Sequence, residues 1–387
     1  MTFHSGRHLL QIPGPTNVPE RVLAALSRPT TDHRSPEFAV LTGEIMENLK
    51  LVFKTQGPVV VFPSSGSGGW EAALVNTLSP GDKVLMFETG FFALQWAKTA
   101  EMWGLEVELT PGDWRSGVDL EKLEERLEQD RTREIKAVTA VHCETSTGAL
   151  SSVPGIRRAL DSAGHPALLL VDTISSLATT DYRHQEWGVD VTIAASQKGL
   201  MLPPGLGFQA LSEKALAASK KARLPRRYWD WSAMLEANAS GFFPYTPATN
   251  LLYGLKEALA MLREEGLENV FARHARHAEA ARRAAAAWGL TPCCPRVEEQ
   301  APGLTALLVP EGFDSDELRR IILERFDMSL GTGLGKLKGK AFRIGHLGYF
   351  NDLMLAGALA GVEMGLSVAG LDRARGGVQA ALDFLAD

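Results

Sequence analysis

Apolar residues follow two rhythms along this chain. Short unbroken runs rich in Val, Ile and Leu recur at PVVVFPS (58–64), KVLMFET (83–89), EVELTP (106–111), AVTAVHCE (137–144), ALLLVDT (167–173) and VDVTIAAS (189–196). Runs of that length without alternation predict strands covered on both faces. Between them, WEAALVNTL, FFALQWAKTAEMWG, DLEKLEERLEQDR and VPGIRRALDSAG place apolar residues at helical spacing. Strand and helix alternate, which predicts an α/β domain around a mostly parallel sheet, with ligands gathered beyond the carboxyl ends of its strands.

Past residue 250 the rhythm changes. A helical stretch, LLYGLKEALAMLREEGLENVFARHARHAEAARRAAAAWG, leads to a strand TALLVP, a helix SDELRRIILERF, a strand AFRIGHLG and two terminal helices. A smaller α+β C-terminal domain is expected, with the division at 1–252 and 253–387. The length of 387 residues agrees, since it exceeds the size at which one core keeps growing.

Composition narrows the class of ligand. Apolar residues make up 45% and charged ones 22%, ordinary values for a folded globular protein. The balance of 40 basic and 46 acidic residues, net −6, gives no positive field for nucleic acid or an anionic membrane, so small molecules are the expected partners. The stretch LMLAGALAGVEMGLSVAGL (353–371) is interrupted by Glu363 and several glycines, and reads as a core helix rather than a membrane span. MTFHSGRHLLQIPGP lacks the apolar run of a signal peptide, which makes the cytoplasm the expected location. Three cysteines, Cys143, Cys293 and Cys294, suit neither a disulfide framework nor a CxxC metal site. His274 and His277, in ARHARHAEAARR, read as the solvated face of a polar helix rather than as metal ligands.

Three features at strand ends carry candidate chemistry. SSGSGGWEAALVN (64–76) joins a strand to a helix through a Ser/Gly turn whose backbone N–H groups can cup an anion, phosphate above all, although a plain tight turn looks the same. Asp172, ending ALLLVD, is either a turn former or a charge held for a cation such as a pyridinium N–H. Lys198, in AASQKGLMLPPG, is either a surface residue closing a strand or a desolvated amine able to attack an aldehyde. An anion cup, a carboxylate and a nucleophilic lysine together match the phosphate, ring nitrogen and aldehyde of pyridoxal phosphate.

With LQIPGPTNVPERV, CETSTG, PYTPATNLLYGL and FRIGHLG added in the same order, the chain resembles the class V aminotransferases of the fold-type I pyridoxal-phosphate enzymes, in the alanine–glyoxylate and serine–glyoxylate group. The resemblance runs from residue 10 to about 350. It implies that Lys198 makes the covalent link to the cofactor and acts as the base, and that Asp172 keeps the ring nitrogen protonated. It implies further that Gln197 and the loop Ser67, Gly68 and Gly69 contact the phosphate, that Thr145 stands near the ring's O3 oxygen and that Phe92 stacks on the ring. Some relatives have histidine where this chain has Gly69. Arg343 becomes the clamp for the substrate carboxylate, with Gly14 close by. Thr246 is expected to reach the phosphate in the other subunit of a homodimer with shared active sites. Relatives carry a tyrosine at the position of Phe243, for which Tyr245 is the substitute in this chain. His33, in TDHR, is open to a catalytic or a structural role. Transamination from an L-amino acid, serine by preference, to glyoxylate is the implied reaction. Alanine, aspartate or ureidoglycine are alternative donors, and a cysteine desulfurase, which needs a thiol on a mobile loop, is the rival activity.

Overall fold

The computed structural model describes residues 5–371 and 374–386. Its larger sheet has seven strands in the order Val59–Ser64, Gly205–Leu211, Val191–Ala195, Leu168–Asp172, Ile135–Val141, Lys83–Phe87 and Glu106–Thr110. All run parallel except Gly205–Leu211, which is antiparallel to both neighbours. The six strands expected from apolar runs are all present. Gly205–Leu211 was not expected, because GLGFQAL has glycine at its first and third positions and directly follows Pro203 and Pro204. The second glycine has a steric reason: a Cβ at Gly207 would come within 2.5 Å of Ser64 Oγ.

Both faces of this sheet are covered by helices, among them Gly66–Thr77, Phe91–Met102, Leu120–Gln129 and Val153–Ser162. The central strands are accordingly buried along their whole length, Leu168–Asp172 and Val191–Ala195 without exception. Parallel direction puts the ends of Val59–Ser64, Ile135–Val141, Leu168–Asp172 and Val191–Ala195 on one rim. Ser65, Cys143, Asp172 and Lys198 lie along it or just past it.

A second sheet of five strands follows the order Leu9–Gln11, Met328–Thr332, Ala341–Gly345, Leu304–Leu308 and Thr291–Pro292. Its first strand comes from the start of the chain, so the N-terminal segment leaves the smaller sheet and crosses to the rim of the larger one. The crossing is tight, since a Cβ at Gly345 would lie 2.2 Å from Ile12 O. The long helical stretch breaks at Gly266 into Thr249–Glu265 and Leu267–Ala287. Residue 252 lies inside the first of these, and Leu252, Leu255, Ala258, Leu259 and Leu262 all pack in the larger core. We therefore propose Gly266 as a better division of the chain than 252.

The expectation of a solvated face at His274 and His277 is corrected: both side chains are fully buried. His274 bonds Val270 O at 2.7 Å and accepts from Gly348 N at 3.0 Å. His277 bonds Asp352 at 2.9 Å. Alanines around them let helix Leu267–Ala287 pack closely against the terminal helices, so a composition that looks polar is covered by the smaller domain. Helix Asp352–Val368 does pack in the core, through Leu355, Leu359, Val362 and Leu366, with Glu363 accepting from Trp288 Nε1 at 2.8 Å.

Candidate active site

The rim encloses a cavity of about 200 Å³ whose lining includes Gly14, Ser65, Gly66, Ser67, Phe92, Thr145, Asp172, Gln197 and Lys198. Seven of the eleven residues expected at a site are therefore together, although they come from six separate stretches of chain: Gly14, Ser67, Phe92, Thr145, Asp172, Gln197 and Lys198.

Lys198 is buried, and its Nζ donates to the carbonyl of Pro13. A Cβ at Gly14, which has φ of 110°, would lie 2.5 Å from the Cδ, Cε and Nζ of that lysine. Glycine is thus required both by the backbone angle and by the lysine stem lying on it. Thr16 fixes the same crossing by donating from its N–H to Gln197 O at 3.1 Å and from its hydroxyl to Lys198 O at 3.3 Å. Burial pushes the Lys198 ammonium down to about 8, with the charge of Arg343 acting in the same direction.

Asp172 is buried as well, and burial pushes its carboxyl up to about 7. Two donors oppose that shift: Ile174 N–H reaches Oδ1 at 2.7 Å and Trp70 Nε1–H reaches Oδ2 at 2.8 Å. A cationic ring N–H in the cavity would complete the compensation. At the other end, helix Gly66–Thr77 begins at Ser65, which gives it no side-chain cap. Its first N–H groups, those of Gly66 and Ser67, are thereby open to an anion in the cavity. The N–H of Gly69 is already taken by Ser65 O at 3.4 Å. Gln197 lines the same cavity, and its side-chain amide NH2 can donate to an anion there. An anion cup, a buried carboxylate short of positive charge and a desolvated amine around one small cavity fit pyridoxal phosphate.

Other expected residues are placed differently. Gly68 and Gly69 are not in the lining: a Cβ at Gly68 would meet Ser64 and Trp229 at 2.8 Å, and one at Gly69 would meet Ile193 at 2.7 Å. They let the helix approach the sheet, and the cup moves back to Ser65–Ser67. Arg343 is also outside the lining, buried between the sheets with Nη1 on Thr145 O at 2.9 Å and Nε on Thr332 O at 2.8 Å. Burial lowers its guanidinium to about 10, against the pull of Glu144. Thr246 is exposed and away from this chain's own cavity. Tyr245 stacks on Tyr228 with centroids 4.3 Å apart, and its buried hydroxyl has no partner. Phe243 is buried against Phe38, and His33 stands half-buried outside the lining.

Sequence reasoning placed Ser65 and Gly66 in the Ser/Gly turn without naming them, and missed Trp70, Ser175 and Glu144. Ser175 shares a hydrogen bond of 3.0 Å with Thr145 Oγ1 on the cavity wall. Glu144 is fully buried and accepts from the N–H groups of Phe92 and Ala93 at 3.1 Å and from the Ser146 hydroxyl at 2.7 Å, which pins the helix carrying Phe92.

The chain belongs to the class V aminotransferases: the family model Aminotransferase class-V matches residues 8–334. Its curated relatives include serine–glyoxylate aminotransferase of Methylorubrum extorquens, 48% identical over 99% of this chain and 97% of the relative. They also include L-aspartate–glyoxylate aminotransferase of Paracoccus denitrificans, 47% identical over 93% and 91%. Among solved structures, ureidoglycine–glyoxylate aminotransferase of Bacillus subtilis superposes with a TM-score of 0.91 at 28% identity, covering 100% of both chains. The protein is thus a pyridoxal-phosphate-dependent transaminase of the α/β fold-type I architecture. Among the described residues no helix is long and apolar enough to cross a membrane.

Proposed function

We propose that this enzyme passes the amino group of L-serine to glyoxylate, releasing hydroxypyruvate and glycine. The observation that carries the reading is the cavity in which the Lys198 amine and the Asp172 carboxylate face one space of about 200 Å³. The choice of serine rests on likeness to relatives that bear that name across nearly their whole length. Bound pyridoxal phosphate supplies a ring that draws electrons from the substrate's α-carbon.

The chain's own residues do the rest. The start of helix Gly66–Thr77, with Gln197, holds the phosphate, and Asp172 keeps its charge beside the ring nitrogen. Phe92 covers one ring face and Thr145 the O3 side. Arg343 has its remaining guanidinium N–H groups for the substrate carboxylate. Lys198, whose neutral amine burial brings within reach by lowering its ammonium to about 8, takes the proton from the α-carbon.

We place the enzyme in the cytoplasm as a homodimer, with Thr246 turned to the partner's phosphate; the exposure of Thr246, outside the lining of its own cavity, supports this. Aspartate is the second donor to consider, given the Paracoccus relative. Desulfurase chemistry is disfavoured because Cys143, Cys293 and Cys294 are all buried, with their thiols pushed up. The test follows glycine formation from glyoxylate with serine, alanine and aspartate offered separately. Serine should give the highest kcat/KM; glycine from none of them, or sulfide from cysteine, would overturn the assignment.

A further inference from the structure

The helix that opens the anion cup also carries Trp70. Its side chain lies on the cavity wall, 3% exposed, with the indole stacked on the buried Trp96 at 6.0 Å between centroids and 16° between planes. The stack fixes the direction of the indole N–H, which points at Asp172 Oδ2 over 2.8 Å. An indole nitrogen can only donate. Oδ2 must therefore accept, and the contact favours the carboxylate over the carboxylic acid. The other oxygen is held by the backbone of Ile174, so Asp172 cannot rotate without breaking one of the two bonds.

Resting on the aminotransferase reading, we propose that Trp70 is a positioning residue for the reaction: it locks the orientation and the ionised form of Asp172 toward the cofactor's ring nitrogen. One helix would then serve both ends of the cofactor, its first turn binding the phosphate and its second setting the charge beside the ring. The ionisable groups whose fields reach Asp172 are Glu144, Lys198, Cys143 and Tyr182, and none of them hydrogen-bonds its carboxylate. Trp70 is the side chain that does.

The test compares Trp70→Phe, which keeps a ring and loses the N–H, with Trp70→His, which restores a ring donor. Cofactor affinity is read by titrating the apoprotein with pyridoxal phosphate across pH, beside kcat and KM. Trp70→Phe should bind the cofactor about tenfold more weakly and lose about tenfold in kcat, with KM unchanged. Its cofactor should be lost on acidification at a pH about one unit higher than in the wild type, because Asp172 is then easier to protonate. Trp70→His should recover most of both. Wild-type affinity and pH profile in Trp70→Phe, or equal losses in both variants, would overturn the proposal. A readout independent of how Trp70→Phe folds is the set of indole N–H resonances of the 8 tryptophans. Asp172→Asn should shift the indole resonance that Trp70→His removes, and no shift there counts against the contact. Failure of the wild type itself to bind pyridoxal phosphate would instead sink the aminotransferase reading.

Discussion

Two clusters of ionisable groups lie buried in this molecule, and they are built on opposite terms. On the cavity wall Asp172 and Lys198, and outside its lining Arg343, are each pushed toward neutrality by burial. In the smaller domain, His274, His277 and His346 are likewise lowered by burial, and each is tied into the packing, by Val270 and Gly348 for the first, Asp352 for the second and Thr305 for the third, while Nδ1 of His277 and of His346 is left without a partner. Burial alone does not mark a functional site. What distinguishes the first cluster is opposed charges facing a shared empty volume.

That contrast can be broken by substitution. Lys198→Ala should lower kcat at least about a thousandfold, since the base is lost, and steady-state assay checks it. Arg343→Ala should cost about a hundredfold in kcat/KM, mostly through KM for both carboxylate substrates. Gly14→Ala sets a methyl group where the lysine stem lies and strains a left-handed backbone, so cofactor capture should slow about tenfold, measured by stopped-flow absorbance. The rate of capture by the wild-type apoprotein should rise with pH around a midpoint near 8, because only the neutral amine attacks and burial has lowered its pKa to about 8. The same sign governs stability: the penalty for a charged Lys198 is present below that pH and relieved as pH rises toward its unfolded value. His277→Asn, by contrast, should lower the unfolding free energy by about 1–2 kcal/mol and leave kcat and KM unchanged.

Much of the larger domain was legible in the sequence, because a strand buried on both faces must be apolar throughout, and six such runs stood apart. The antiparallel strand Gly205–Leu211 and the strands Leu9–Gln11 and Met328–Thr332 were not, since short or glycine-containing strands depend on neighbours far away in the chain. Lys198, Asp172 and Gln197 were legible as residues at strand ends. Trp70 and Glu144 were not, because an apolar-looking helix position and a strand-end carboxylate become functional only when the fold sets an N–H or a helix start against them. The histidine pair failed for the converse reason: a polar, alanine-rich helix looks solvated until the later elements of its own domain are laid on it.

The most direct test is reduction of the cofactor-loaded protein with borohydride followed by peptide mapping. The account predicts a single pyridoxyl-labelled peptide carrying the modification on Lys198. Label on another lysine, or none after saturation with pyridoxal phosphate, would contradict it.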